Sequence, residues 1–165
     1  MDEHVLNRHR RRLIVYALLC VLIMAAIFVM SAKDGHSSGD LSGKPFFLWL
    51  ARVLQTIVPW TIQLSPILLI RKCAHMFEYF CLGCSTFLFT GELLWRKEKR
   101  LGKTAAIAFL WCFLYACSDE WHQKYVPGRA GVFTDVLIDS IGVVCAVLLL
   151  CLITWLSARK KRAAQ

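Results

Sequence analysis

Leu13 to Met30 reads LIVYALLCVLIMAAIFVM, and Ser140 to Ala158 reads SIGVVCAVLLLCLITWLSA. The first run is eighteen residues without a charge and the second is nineteen. A helix needs roughly 20 apolar residues to cross a hydrocarbon core of about 30 Å. The chain has 165 residues, enough for one domain, of which 58% are hydrophobic and 19% charged. A soluble fold of that size buries much apolar surface, but it does not readily absorb long uncharged runs at both ends. The N-terminus is basic and then apolar, as in a signal peptide, yet its apolar run is longer than a typical signal core and no small-x-small cleavage site follows it. It reads as an uncleaved first span.

Working inward, Lys33 to Lys44 is polar and rich in Gly and Ser, which predicts a loop. Phe46 to Leu64 is apolar but is broken by Arg52, Gln55, Pro59 and Gln63. Pro59, the recurring polar residues and the pair Trp49 and Trp60 favour a helix lying in the membrane interface over a crossing. Ser65-Pro66 is a helix start, with Ser as N-cap and Pro at the first helical position. Trp95 to Lys103 is a basic connector, and Pro127-Gly128 signals a turn. The expectation is an all-α polytopic membrane protein, one domain over residues 1–165. Four transmembrane helices would span about 13–32, 66–94, 104–122 and 132–156, with an interfacial helix at about 45–64.

Charge placement supplies the orientation. The net charge of +9 is not a nucleic-acid footprint, because no separate basic domain exists. Of the 20 Lys and Arg residues, 13 sit in the N-tail, the Arg96 to Lys103 connector and the C-tail. A four-span chain puts all three on one side, and the positive-inside rule makes that side cytoplasmic. A fifth crossing at 46–64 would separate the connector from the N-tail. The expected partners are membrane lipids, with no nucleic acid.

The second and third spans are short of apolar length. Their uncharged parts are Tyr79 to Gly91, thirteen residues, and Thr104 to Ser118, fifteen. At 1.5 Å per residue these cover only about 20 Å, so ionisable residues must enter the membrane. Arg71, His75 and Glu78 stand at i, i+4 and i+7 on one helical face, and Asp135, Asp139 and Gly142 repeat that spacing on the fourth span. Asp119 and His122 are three apart, with Glu120 and Gln123 beside them and Arg129 in the following loop. The simplest packing turns these faces into one outward-opening polar pocket, since charges in a membrane face the bundle interior and mark function. Single members have blander readings. Lys72 would snorkel at a helix end, and Asp119 and Asp135 could be ion-pair partners of Arg129 and Arg71.

Candidate acid–base residues are His75, Glu78, Asp119 and His122. Arg71 and Arg129 suit a forked grip on a phosphate or carboxylate. Two histidines among carboxylates could ligate a divalent cation, but HExxH-type spacing is absent and no metal site is assigned. No cofactor and no activated nucleophile can be read. Cys81 and Cys84 form a CxxC inside an apolar helix without a second pair, and the eight cysteines imply no disulfide framework.

RKCAHMFEY (Arg71 to Tyr79) followed by SDEWHQKYVPGRAGVFTDVLIDSIG (Ser118 to Gly142) resembles the VanZ-like family of bacterial membrane proteins. The family pattern falls on Arg71, Lys72, His75, Glu78, Tyr79, Asp119, Glu120, His122, Gln123, Pro127, Arg129, Asp135, Asp139 and Gly142, without departure. The family takes its name from an accessory protein that raises tolerance to teicoplanin, so the resemblance implies a setting in the bacterial envelope rather than a reaction. It implies the bacterial cytoplasmic membrane, and the residues expected to bind a ligand in the pocket are Arg71, Tyr79, Glu120, Gln123, Arg129, Asp135 and Asp139. The ligand would be anionic and lipid-linked or cell-wall-related, such as a cell-wall precursor or a glycopeptide. The alternatives are an intramembrane hydrolase or transferase on a lipid phosphate, or a small transporter.

Overall fold

The computed structural model describes residues 3–33, 44–94 and 100–163. Most of the expected polar loop (34–43) and part of the basic connector (95–99) lie outside the described residues. Among the described residues the fold is all-helical, without strands. It comprises α1 (Glu3–Ser31), α2 (Pro45–Ile57), a 3-10 turn (Pro59–Gln63), α3 (Pro66–Leu93), α4 (Arg100–Gln123) and α5 (Phe133–Ala163). Two helices outrun the expected spans. α1 begins within the basic N-tail and α5 continues through the basic C-tail, because a hydrogen-bonded helix does not stop where its apolar run stops.

Three helices among the described residues are long and apolar enough to cross a membrane, over Glu3–Ser31, Leu101–Gln123 and Phe133–Lys160. α3 is not among them by composition, since it carries Arg71, Lys72, His75 and Glu78, although it is 28 residues long. α2 has 13 residues, about 20 Å, which is short of a hydrocarbon core. It ends at Ile57, with Val58 as its C-cap just before Pro59, and the chain then tightens into the 3-10 turn. Gln55 Nε2 clamps this break by donating to the carbonyls of Thr61 and Leu64 at 3.2 and 2.9 Å. Ala51 and its neighbours Phe47, Leu50 and Leu54 pack on Leu69 and Ile70 of α3, leaving Phe46 and Trp49 exposed. The side chain of Trp60 lies outside the described ones.

α3 occupies the middle of the bundle, packed against α1, α4 and α5. Polar contacts fix the directions. His9 Nδ1 lies 2.9 Å from Glu92 Oε2, so α1 starts where α3 ends. Ser31 donates to Asp119 at 2.9 Å, so α1 and α4 finish together. The α3–α5 crossing is set by small residues. A Cβ on Gly142 would sit 2.1 Å from the Met76 carbonyl oxygen, and one on Gly83 would sit 3.0 Å from the Ala146 Cβ. Close backbone approach at small residues is how helices associate where no hydrophobic force drives them together.

The distribution of polarity is inverted relative to a water-soluble bundle. Val21, Leu22 and Val29 on α1, Leu110 and Leu114 on α4, and Leu148 and Leu152 on α5 face outward. Asp119, Glu120, Gln123 and Asp139 are only 3%, 6%, 5% and 2% exposed. An apolar outer surface of this extent needs an apolar surround, so the chain is a membrane protein.

Candidate functional site

The site gathers at one end of the bundle, where α1 and α4 end and α3 and α5 begin. Ser65 caps α3 by accepting from the Leu68 N–H at 3.2 Å, with Pro66 at the first turn as its fixed φ favours. Residues 71 to 78 then occupy the next turns of α3. The α4–α5 loop doubles back on α4 through Gly128 and Gly131, whose φ values are 74° and 56°. At Gly131 a Cβ would meet Glu120 O at 2.7 Å, so no other residue lets the loop close this tightly. Closure carries Arg129 over the end of α1. Its Nη2 donates to Met30 O and its Nε to Lys33 O, each at 3.3 Å. A cation on the orphan carbonyls of a helix C-terminus is favourable. Burial lowers the Arg129 guanidinium from its ordinary value, and Arg71 nearby adds to this, while Asp119, Glu120 and Asp135 oppose it.

Beneath the loop lies a cavity of about 160 Å³. Arg71, Lys72 and His75 line it from α3, Glu120 and Gln123 from α4, Arg129 from the loop, and Asp135 and Asp139 from α5. Seven of the sequence-derived candidates therefore meet there: Arg71, His75, Glu120, Gln123, Arg129, Asp135 and Asp139. Glu78, Tyr79, Asp119 and His122 do not line it; they form the layer behind. Glu78 Oε2 stands 3.3 Å from His75 Nδ1, an ion-pair distance without hydrogen-bond geometry. Asp119 Oδ2 accepts from Ser31 and from Gln123 Nε2, both at 2.9 Å. The His122 ring packs on Phe28 with centroids 4.6 Å apart. Tyr79 is fully buried, against Tyr115.

Two participants escaped sequence reasoning. Lys72 does not snorkel; it pairs with Asp135 across the α3–α5 interface. Asp135 is thereby taken from Arg71, and Asp119 answers to Ser31 and Gln123 rather than to Arg129 alone. Ser31 is fully buried and supplies a proton donor from α1. Its only sequence signal was a hydroxyl at the very end of an apolar run.

Buried polar atoms without a protein hydrogen-bond partner concentrate here. They are Arg71 Nε, His75 Nδ1, Glu78 Oε2, Tyr79 OH, Asp119 Oδ1, Glu120 Oε2 and His122 Nδ1, with Thr104 Oγ1 alone at the far end. Such atoms cost free energy in a purely structural core, and here they cluster at one end of the bundle. Among the described residues, no three His, Cys, Asp or Glu side chains converge as metal ligands. The described cysteines, including Cys81 and Cys84, are all unpaired thiols.

No curated protein and no solved structure matches the chain. A model of the VanZ/LLP1 family matches residues 15–154, a stretch that takes in α2 to α4 entirely, most of α1 and α5, and every residue of the cavity. With the greater part of its length covered by that match, the chain belongs to the VanZ/LLP1 family.

Proposed function

We propose that this protein crosses the bacterial cytoplasmic membrane four times, with both termini in the cytoplasm. Its cavity would face outward and bind the anionic headgroup of a lipid-linked or cell-wall-related ligand. The fourth crossing is α3, whose 28 residues extend about 42 Å. Packed along α1, α4 and α5, it shares their depth, and its charged face is tolerated because it turns inward. α2 then rests at the outer interface, with Phe46 and Trp49 exposed toward lipid headgroups.

The observation that carries this reading is that Arg71 and Arg129, 58 positions apart, wall the same cavity beside His75. Guanidinium forks grip phosphate or carboxylate in a way that a point charge does not. The cavity is smaller than the roughly 300–1,000 Å³ of drug-sized sites. It suits a headgroup and not a whole glycopeptide, so any contribution to glycopeptide or lipoglycopeptide tolerance would act through the membrane-linked ligand. The test is calorimetric titration of detergent-purified protein with glycerophosphoglycerol, a soluble phosphodiester headgroup. Arg71→Lys is expected to lower affinity about tenfold or more while the melting temperature holds. Equal binding by wild type and Arg71→Lys removes the forked-anion role.

A second reading, an intramembrane hydrolase or transferase on a lipid phosphate, draws on the His75–Glu78 pair at 3.3 Å, which sets a carboxylate beside an imidazole at the cavity wall. Glu78→Gln separates the two, since it would stop turnover of a lipid phosphate but leave headgroup binding intact.

A further inference from the structure

The cavity wall holds groups of both signs, and two of them keep buried polar atoms without a hydrogen-bond partner, which says more about the ligand. Beside His75, six side chains of acidic or basic type line the cavity: Arg71, Lys72 and Arg129 against Glu120, Asp135 and Asp139. Lys72 and Asp135 are consumed as a pair. Among the described residues no ion pair joins Arg71 to Glu120 or Asp139. Arg71 Nε and Glu120 Oε2 are both buried, both on this wall, and both without a hydrogen-bond partner. Glu120 is 6% exposed and Asp139 2%, so bulk water does not discharge them. Arg71 Nε thus lacks an acceptor, and Glu120 Oε2 lacks a donor although the Glu120 carboxylate takes a backbone hydrogen bond from Val132.

A simple anion satisfies only half of this. It would meet Arg71 but bring a further negative charge against two buried carboxylates, which disfavours binding in a low-dielectric site. We propose that the cavity selects a dipolar headgroup, an anionic phosphate or carboxylate facing Arg71 and Arg129 with a protonated amine a few ångströms away facing Glu120 and Asp139. This deepens the headgroup reading and rests on it. The volume of about 160 Å³ fits a phosphate joined to a short amine.

The experiment compares two phosphodiesters that differ at one end, glycerophosphoethanolamine with its ammonium and glycerophosphoglycerol with a hydroxyl. Calorimetry on the purified protein is expected to give the amine-bearing probe an advantage of about tenfold or more, the worth of one charge-assisted hydrogen bond. Glu120→Gln should erase that advantage by weakening the amine-bearing probe and strengthening glycerophosphoglycerol, whose phosphate then meets one buried carboxylate fewer. Asp139→Asn provides the same readout should Glu120→Gln fail to fold. Arg71→Lys should weaken both probes alike. The source is distinguished in nanodiscs. A higher melting temperature in phosphatidylethanolamine than in phosphatidylglycerol identifies a membrane lipid. A rise on adding glycerophosphoethanolamine to phosphatidylglycerol discs, without a difference between the two lipids, identifies a free ligand. Equal, Arg71-dependent affinities for the two soluble probes overturn the dipolar proposal and leave the anion pocket standing; no binding of either overturns both.

Discussion

Gly142→Ala adds one carbon at the point where α5 crosses α3, and its effect can be worked from the geometry. The new Cβ would lie 2.1 Å from Met76 O and 3.2 Å from Phe80 N, both backbone atoms. A carbon–oxygen contact settles at roughly 3.3 Å, so the helices must part by about 1 Å. No side chain can rotate to absorb this. Overpacking a close-packed contact costs about 1–3 kcal/mol, and a backbone-on-backbone clash belongs at the upper end, offset by up to about 1 kcal/mol because Ala is the better helix former. The net loss is about 2 kcal/mol, which for a chain of this length lowers the melting temperature by roughly 4–8 °C. Three glycines calibrate the result in one thermal-melting experiment on detergent-purified protein. Gly102→Ala meets nothing within 4 Å and should leave stability unchanged or slightly raised. Gly83→Ala, 3.0 Å from the Ala146 side chain, should fall between. The separation would also move Asp139 on α5 away from Arg71 and His75 on α3, so headgroup affinity should fall with stability. A Gly142→Ala protein that melts with Gly102→Ala would refute the packing argument.

Ser31→Ala removes a buried donor from Asp119 and should cost about 1–3 kcal/mol, while the exposed Ser118→Ala should cost nothing measurable by the same melt. Lys72→Met and Asp135→Asn should each destabilise, and their double mutant should recover about 0.5–3 kcal/mol of coupling in a thermodynamic cycle; strict additivity would mean the pair is not formed. In a cysteine-free background, Pro127→Cys should react with a membrane-impermeant maleimide in intact cells, and Asn7→Cys and Arg162→Cys only after lysis; labelling of Arg162→Cys from outside would sink the four-span topology.

The long apolar runs made α1 and α5 legible, because nothing but an uncharged helix satisfies them. The ends were less legible. Helical hydrogen bonding persists through Arg8 to Arg12 and through Arg159 and Lys160 without regard to hydropathy. The i, i+4 spacing puts Arg71 and His75 on one helical face, and both line the cavity, as Asp135 and Asp139 do from α5. The same spacing also brings Gly142 to the face where α5 meets α3. It did not show how deep the cavity runs: Glu78 shares the face of Arg71 but sits about 10 Å further along α3, and it is not in the cavity lining. Which carboxylate takes which cation was beyond the sequence altogether. The Lys72–Asp135 pair joins residues 63 positions apart, across the α3–α5 interface where Gly142 approaches the Met76 backbone. Ser31 was hidden for the same reason, since its partner Asp119 is 88 positions away.

The most direct test of the central claim is a side-chain-resolution map of the protein in a nanodisc containing phosphatidylethanolamine. The account predicts a headgroup in the outward half of the bundle, its phosphate within hydrogen-bond reach of the Arg71 and Arg129 guanidinium groups and its amine toward Glu120 and Asp139. A well-ordered cavity in which Arg71 instead closes directly onto Glu120 or Asp139, with lipid only around the bundle, would contradict it.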